Sequence, residues 1–195
     1  MTAEQLIEAY RNGIFPMADS ATSRLVRWYA PDPRSVLPLD AFHVPHNVSK
    51  LVRQGKFEVT VDRDFASVIA GCAQRDETWI SQEIVRVYSE LHQQGLAHSV
   101  ECWKGGLLTG GLYGVSIGGA FFGESMFSRV RDASKVALVH LVGRLIRGGY
   151  RLLDIQMTTS LTAQFGAIQI SKSDYQQRLA EALKLEGDWL AEDRG

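Results

Sequence analysis

A carboxylate interrupts an otherwise apolar stretch of the sequence, residues 119–128, which read GAFFGESMFS. If this stretch forms a strand, its side chains alternate between two faces, and Phe122, Glu124 and Met126 share one of them. A carboxylate on a half-buried face must be hydrogen-bonded, paired or protonated. Glu124 is therefore a candidate acid or base, while a structural pairing with a nearby arginine explains it equally well.

An acid and an amide stand at the end of a second predicted strand, residues 150–156. Asp154 and Gln156 are two positions apart and therefore share a face of that strand. Strand ends beside a change in strand order are common ligand sites in α/β proteins. Gln156 can donate and accept hydrogen bonds, and Asp154 can attract a cation or orient the amide. Capping of the strand end is the alternative that spacing alone leaves open.

Aromatic residues suggest a third kind of site, one that binds nucleotide bases. Trp79 and Tyr88 could stack on unpaired bases, although single aromatic residues more often belong to a hydrophobic core. The five histidines lack the spacing of metal ligands, and the sequence contains neither a Walker loop nor a Cys-x-x-Cys pair. No metal site is therefore expected.

The composition is that of an ordinary folded protein, with 195 residues, 45% hydrophobic and 22% charged, and a net charge of −1. These values exclude disorder and a globally basic nucleic-acid-binding chain. Residues 125–155 nonetheless carry six Lys or Arg against two Asp or Glu, and this excess could steer a phosphate backbone. A solvated helix face is the simpler interpretation. Lone cysteines, an acidic N-terminus and the lack of a bilayer-length apolar run predict a cytoplasmic protein without membrane contact.

Turn residues and periodicity predict the elements that must position these groups. An amphipathic helix begins at Ser81. In the second half of the chain, three strands are predicted over 97–103, 107–117 and 120–127. A helix capped by Asp132 follows over 133–147, and a further strand over 150–156. Hairpin strands followed by a helix and a further strand predict an α/β fold of the α+β type, with helices on a mixed sheet. The change of character near residues 92–97 predicts a small N-terminal α/β domain, 1–94, and a larger domain, 95–195.

Several segments together resemble the bacterial leucyl/phenylalanyl-tRNA–protein transferases, an aminoacyl-tRNA–protein transferase family, over residues 5–180. These segments are GIFP at 13–16, WYAPDPR at 28–34, GCA at 71–73, TWI at 78–80, AHSVE at 97–101, GGLYG at 110–114, FGESMFS at 122–128, ASK at 133–135 and D-x-Q at 154–156. The sequence departs from the family pattern at one residue and in one short run. Met17 stands where some members have Trp, and residues 157–159 replace a polar run that contains Asn.

The resemblance implies an enzyme that transfers Leu or Phe, and Met less well, from aminoacyl-tRNA to proteins that begin with Arg or Lys. The new peptide bond would mark the acceptor for N-end-rule degradation. The resemblance also implies a GNAT-like acyltransferase domain, and no cofactor is expected because an aminoacyl ester is already activated. It places the catalytic groups at Glu124, Asp154 and Gln156, where the two acids would receive the cationic acceptor.

Three further sets of substrate contacts follow from the resemblance. An apolar pocket for the transferred side chain would be lined by Leu112, Phe121, Met126, Leu141 and Leu153. The terminal adenosine of the tRNA would stack on Trp79 and Tyr88, with Met17 beside them. The phosphates of the acceptor stem would meet Arg129, Arg131, Lys135, Arg144 and Arg147, contacts that position the tRNA without reading its sequence.

Two other functions stay open at this point. A CoA-dependent N-acyltransferase normally needs a glycine-rich loop that cradles the pyrophosphate at the start of the helix after the hairpin strands, but residues 128–133 read SRVRDA. A non-catalytic tRNA-binding protein would explain the aromatic and basic residues. It would leave Glu124, Asp154 and Gln156 without a role.

Overall fold

The computed structural model describes residues 1–23, 25–75 and 78–191, in which seven helices and nine strands form. The helices are α1 (Ala3–Arg11), α2 (His46–Arg53), α3 (Phe65–Ala73), α4 (Gln82–Gln93), α5 (Ala133–Arg147), α6 (Ser160–Ala163) and α7 (Lys172–Ala182). The strands are β1 (Phe15–Ala18), β2 (Val26–Tyr29), β3 (Arg34–Val36), β4 (Glu58–Val61), β5 (Ala97–Lys104), β6 (Leu107–Ile117), β7 (Ala120–Ser128), β8 (Leu152–Gln156) and β9 (Ile168–Ile170). The elements predicted between residues 97 and 156 are all present, within two residues of their predicted bounds.

Seven of these strands form one sheet in the order β4-β5-β6-β7-β8-β3-β9. Strands β7 and β8 are parallel, and the other neighbours in this sheet are antiparallel. The mixed sheet confirms the predicted α/β class. Strands β3 and β4 come from the first predicted domain, so the sheet extends across the boundary at residue 94. The division into two domains stays a prediction. The last residues of the predicted second domain, 192–195, lie outside the described part of the chain.

Helices cover both faces of the sheet. One apolar cluster lies on the face that packs against α2 and α5, and it includes Leu112, Leu141 and Leu153. A second cluster lies on the face that packs against α3 and α4, and it includes Tyr88 and Phe122. Because each face is covered, β6 is almost entirely buried, as burial on two sides of a sheet requires.

A β-bulge at Glu124 breaks the strict alternation that the sequence predicts for β7. Tyr113 of β6 pairs with Ser125, but its neighbour Gly114 pairs with Gly123, and Glu124 is left without a partner in the ladder. Side chains on either side of the bulge therefore reverse their faces. Phe122 packs in the α3 and α4 cluster, while Met126 packs towards α5. The prediction that these two side chains share a face is wrong for this reason.

Helix α5 begins at its predicted position, but the side chain of Asp132 does not cap it as predicted. Asp132 occupies the N-cap in a left-handed conformation, with φ 68°, and its side chain makes no capping hydrogen bond. The hydroxyl of Ser128 accepts the backbone N–H of Ser134 at 2.9 Å instead. The carboxylate of Asp132 pairs with Lys135 at 3.0 Å.

Among the described residues no helix is long and apolar enough to cross a membrane.

Strands β7 and β8 diverge soon after they meet. Their parallel pairing covers three residue pairs and ends where Phe122 faces Asp154. Beyond this point β7 continues to Ser128 with the bulge at Glu124, while β8 ends at Gln156. Parallel strands that separate leave an opening between their ends, and ligands of open α/β sheets bind at such points.

Candidate active site

A cavity of 670 Å³ lies at the opening between β7 and β8. Glu124 and Gln156 line it from the separating strands. Its apolar wall comes from the α5 side of the sheet, where it is lined by Leu112, Met126, Leu138, Leu141 and Leu153. A larger cavity of 850 Å³ beside the start of the chain has none of the predicted site residues in its described lining. The cavity between β7 and β8 is therefore the candidate active site.

Glu124 belongs to the polar part of this cavity, and its side chain is on the α4 side of the sheet, the side on which Phe122 also packs. Its Oε2 accepts a hydrogen bond from the Tyr88 hydroxyl at 3.0 Å, and its Oε1 accepts one from Nε2 of Gln156 at 3.1 Å. The Tyr88 hydroxyl also lies 2.5 Å from that of Tyr10. The carboxylate is thus held by neutral donors, and no cation contacts it directly among the described residues.

Burial raises the pKa of Glu124 from its ordinary value of 4.5 to about 7. The hydroxyls of Tyr10 and Tyr88 and the charge of Arg34 act against this rise, whereas the charge of Asp154 adds to it. A carboxylate with such a pKa can accept a proton near neutral pH and release it again. Perturbed carboxyl groups in a cavity are typical of catalytic sites.

Gln156 reaches Glu124 from an unusual backbone conformation. Its φ is 58°, in the left-handed region that residues other than glycine rarely adopt. Its backbone N–H donates to Oδ1 of Asp154 at 2.8 Å, and its side chain is 7% exposed. Backbone strain of about 1–3 kcal/mol is stored mainly where the surrounding structure fixes a functional group. The strained residue here is Gln156, whose side-chain amide donates to Glu124, the candidate acid–base group.

Asp154 does not face the cavity, which corrects the prediction that it receives a cationic acceptor. The carboxylate is fully buried and accepts two hydrogen bonds from Arg34, at 2.9 and 2.7 Å. The Tyr175 hydroxyl donates to it at 2.7 Å, and the Gln156 N–H is its fourth donor. A carboxylate has about four acceptor positions. All of them are used inside the protein, so the cation that Asp154 pairs with is Arg34.

Four of the five predicted pocket residues line the cavity, and Phe121 does not. Phe121 is fully buried and packs its ring against Trp189, with centroids 5.4 Å apart. It belongs to the apolar cluster on the α5 side of the sheet and is not part of the cavity lining. Leu138 lines the cavity but escaped sequence analysis. Its position three residues before Leu141 on α5 was the available signal, because residues three apart share a helix face.

The aromatic residues divide between the cavity and the core. Trp79 and Met17 line the cavity and are partly exposed. Phe15, which sequence analysis missed, also lines it but is buried. Tyr88 is fully buried, and its ring meets that of Tyr113 edge-on with centroids 5.6 Å apart. A base cannot stack on a ring that is covered by protein. The stacking predicted for Tyr88 is therefore wrong, and its hydroxyl contacts Glu124 instead.

The predicted basic residues do not form one continuous surface. Arg129 and Lys135 line the cavity at the start of α5, and Arg131 beside them is 92% exposed. Arg144 and Arg147 are in the last turn of α5, about 14 and about 18 Å along the helix from Lys135 at 1.5 Å per residue. Arg144 donates to the backbone oxygen of Trp189 at 2.6 Å. Only the first three are close to the cavity.

Arg75 is a cavity residue that the sequence did not reveal. It follows α3, lines the cavity and donates to the hydroxyl of Ser125 at 3.3 Å and to the backbone oxygen of Met126. Its contacts join α3 to β7 across a separation of 50 residues. Such a long-range contact has no local sequence signal.

In the described part of the chain, no group of three or more His, Cys, Asp or Glu could hold a metal ion.

Comparison with known proteins gives consistent matches along the chain. The profile described as leucyl/phenylalanyl-tRNA protein transferase matches residues 36–180, and that of its N-terminal domain matches residues 1–32. The leucyl/phenylalanyl-tRNA–protein transferase of Salinibacter ruber is 57% identical over 189 residues, which cover 97% of this chain and 83% of the relative. That of Maricaulis maris is 56% identical over 193 residues, which cover 97% and 89%.

Solved structures match much more weakly. A GCN5-related N-acetyltransferase-like protein from Streptococcus suis is 16% identical, with a TM-score of 0.39, and the match covers 87% of this chain and 64% of that protein.

The chain has a mixed α/β fold with a cavity that holds Glu124 and an apolar wall. Its sequence matches define an enzyme that transfers an aminoacyl group from tRNA. Within that class, the chain belongs to the leucyl/phenylalanyl-tRNA protein transferase family. Its substrates are accordingly an aminoacyl-tRNA and a protein.

Proposed function

We propose that this enzyme transfers Leu or Phe, and Met less well, from aminoacyl-tRNA to the N-terminal Arg or Lys of acceptor proteins in the cytoplasm. The peptide bond marks these proteins for N-end-rule degradation. The observation that supports the proposal most strongly is that Glu124, with its raised pKa, shares one cavity with an apolar pocket.

The chemistry of aminoacyl transfer defines what the protein must supply. The ester bond of aminoacyl-tRNA is activated, so the enzyme must align an uncharged amine with the ester carbonyl and remove a proton. An N-terminal ammonium has a pKa of about 7.7–8, close to that of Glu124 at about 7. Glu124 is therefore matched to take the proton from the acceptor. Gln156, whose Nε2 contacts Glu124, is placed to hydrogen-bond the reacting groups.

Selectivity for Leu and Phe follows from the apolar wall. Leu112 and Met126 face each other across the β6–β7 ladder, and Leu141 and Leu153 complete the wall. An apolar pocket discriminates by only about 1–3 kcal/mol per methylene. A flexible Met side chain makes the pocket tolerant of shape. Leu and Phe are therefore preferred, and Met is accepted at a lower rate.

The charged side chains of the cavity favour two substrates of opposite charge, the cationic N-terminus of the acceptor protein and the anionic aminoacyl-tRNA, at different places. Glu124 lies inside the cavity, and no cation of the described residues contacts it, so it attracts the acceptor's ammonium and its Arg or Lys side chain. Arg129 and Lys135 lie at the rim, where they meet phosphates of the tRNA end. Trp79 and Met17 bind the terminal adenosine between these two places. Phosphate and stacking contacts are largely independent of base sequence, which suits an enzyme that accepts more than one tRNA.

The start of α5 disfavours CoA as the donor. The amides of Arg129 and Val130 both donate to the backbone oxygen of Thr109, and that of Ser134 donates to Ser128. These N–H groups are therefore already used where a pyrophosphate would need them. Asp132 adds a negative charge at the same helix end. We expect a titration with acetyl-CoA to show no binding.

Transfer of labelled Phe from Phe-tRNA to a peptide tests the proposal. A peptide that begins with Arg should receive the label, and the same peptide beginning with Ala or carrying an N-acetyl group should not. Glu124→Gln should abolish most of the transfer, whereas Glu58→Gln, a matched change at an exposed ion pair, should not. Binding of Phe-tRNA without product would support the non-catalytic alternative instead.

A further inference from the structure

We propose that Arg34 is a positioning residue for the transfer reaction, which fixes Gln156 and Glu124 through Asp154. This inference rests on the proposed function, because it concerns the same cavity. Arg34 lies between the two matched segments, 1–32 and 36–180, and does not line the cavity. It acts on the reacting groups only through other side chains.

The guanidinium of Arg34 is buried in a fixed set of contacts. The residue is 1% exposed, and its Nε and Nη2 donate to the two oxygens of Asp154 at 2.9 and 2.7 Å. Its Nη1 donates to the backbone oxygen of Gly13 at 2.9 Å. The ring centroids of Phe15 and Tyr175 lie 4.8 and 4.6 Å from the guanidinium carbon. The group therefore has one available orientation.

Three hydrogen bonds connect this guanidinium to Glu124. Arg34 Nε donates to Oδ1 of Asp154, and the same oxygen accepts the backbone N–H of Gln156 at 2.8 Å. That bond holds Gln156 in its left-handed conformation, with φ 58°. The conformation aims Nε2 of Gln156 at Oε1 of Glu124, at 3.1 Å. A change in the orientation of Asp154 therefore moves the groups that face the substrate.

A lysine cannot reproduce this arrangement although it keeps the charge. The guanidinium is planar and offers donors in a fork that matches both carboxylate oxygens, while an ammonium is a single point of charge. Arg34 uses three of its nitrogens at once, towards Asp154 and Gly13. Arg34→Lys therefore removes the fork and leaves the local charge unchanged, which separates positioning from electrostatics.

The experiment compares Arg34→Lys with the wild-type enzyme in the labelled-Phe transfer assay. Arg27→Lys is the matched control, because Arg27 makes the same fork to Asp19, at 2.9 and 3.2 Å, on the exposed surface. Rates are measured below the melting temperature, where circular dichroism shows each protein to be folded. We expect Arg34→Lys to lower kcat by about tenfold to 100-fold, with KM for Phe-tRNA and the midpoint of the pH profile unchanged. Arg27→Lys should stay within threefold of wild type.

A folded Arg34→Lys protein with kcat within threefold of wild type overturns the proposal. If this variant does not fold, the pair Arg34→Met with Asp154→Leu decides, because apolar replacement of a whole buried ion pair is usually tolerated. The double variant should fold and transfer slowly. Folding with a rate near that of wild type, or failure to fold, shows that the pair is only structural.

An NMR measurement separates this proposal from the proposed function. The backbone amide proton of Gln156 donates to a carboxylate, so its resonance should move towards the random-coil position in Arg34→Lys and stay in place in Arg27→Lys. An unmoved resonance in Arg34→Lys overturns the positioning role. If wild type transfers no Phe but the resonance moves as expected, the proposed function fails, although Arg34 still fixes the Gln156 backbone through Asp154.

Discussion

The raised pKa of Glu124 makes the stability of the protein depend on pH in a defined direction. The folded state holds the Glu124 proton more tightly than the unfolded chain does, because the pKa is about 7 in place of 4.5. Stability is therefore lost as pH rises from 4.5 through 7. The difference between these pKa values corresponds to about 3 kcal/mol. Glu124→Gln removes the charge, so we expect it to be more stable than wild type by up to about 3 kcal/mol at pH 8.

The same substitution should act in the opposite direction on the rate. Loss of a general base typically costs about 10²–10⁴-fold, so transfer of labelled Phe to an Arg-starting peptide should fall by that factor at pH 8. The wild-type kcat/KM should rise with pH to a midpoint near 7. In Glu124→Gln only the increase due to the acceptor's own ammonium, with a pKa of about 8, should remain.

Urea unfolding at pH 5 and pH 8, combined with the rate profile, tests both expectations. Glu58→Gln is the control, since Glu58 is an exposed carboxylate paired with Arg63. A Glu124→Gln variant that gains no stability relative to wild type between pH 5 and pH 8 contradicts the raised pKa of Glu124. A variant that keeps the wild-type rate and the midpoint near 7 contradicts the role of Glu124 as the base.

Further predictions concern the pocket, the base-binding residue, the tRNA and the buried ion pair. Met126→Ala should widen the pocket and raise the ratio of Phe to Leu transferred in competition, and an unchanged ratio argues against the pocket. Trp79→Ala should weaken binding of an aminoacyl-adenosine mimic about tenfold or more, measured by fluorescence titration, and unchanged affinity removes Trp79 from the site. Raising the salt concentration from about 50 to 200 mM should weaken the binding of Phe-tRNA steeply but that of the aminoacyl-adenosine mimic only a little. If the two affinities depend equally on salt, Arg129 and Lys135 do not contact phosphates. Asp154→Asn should lower the free energy of unfolding in urea by about 3–5 kcal/mol, because it leaves Arg34 buried without a charged partner; a loss below about 1 kcal/mol contradicts the pairing.

Local sequence signals predicted most of the regular structure. The strands that become β5 and β6 and the helix that becomes α5 are bounded by glycine turns and have clear periodicity, so their ends were predicted to within two residues. The bulge in β7 was not predictable, because an extra residue in one strand depends on the pairing partner. Strict alternation consequently put Met126 on the wrong face.

The candidate site was predictable in its members but not in their contacts. Glu124 and Gln156 were recognised because polar side chains stand out in apolar strands. The partner of Asp154 is Arg34, 120 residues away in the chain, and no local pattern indicates such a pairing. Tyr88 lies on the apolar face of an amphipathic helix, a position that by itself favours the core over a base-stacking surface. The resemblance to the family outweighed that signal.

A crystal structure of this enzyme with a non-hydrolysable aminoacyl-adenosine analogue would show where the transferred residue binds. We expect the Phe or Leu side chain to fill the pocket between Leu112, Met126 and Leu153, with the acyl carbon next to Gln156 and Glu124. An analogue bound elsewhere, or bound in the cavity with its acyl group turned away from both side chains, would show that this cavity is not the active site.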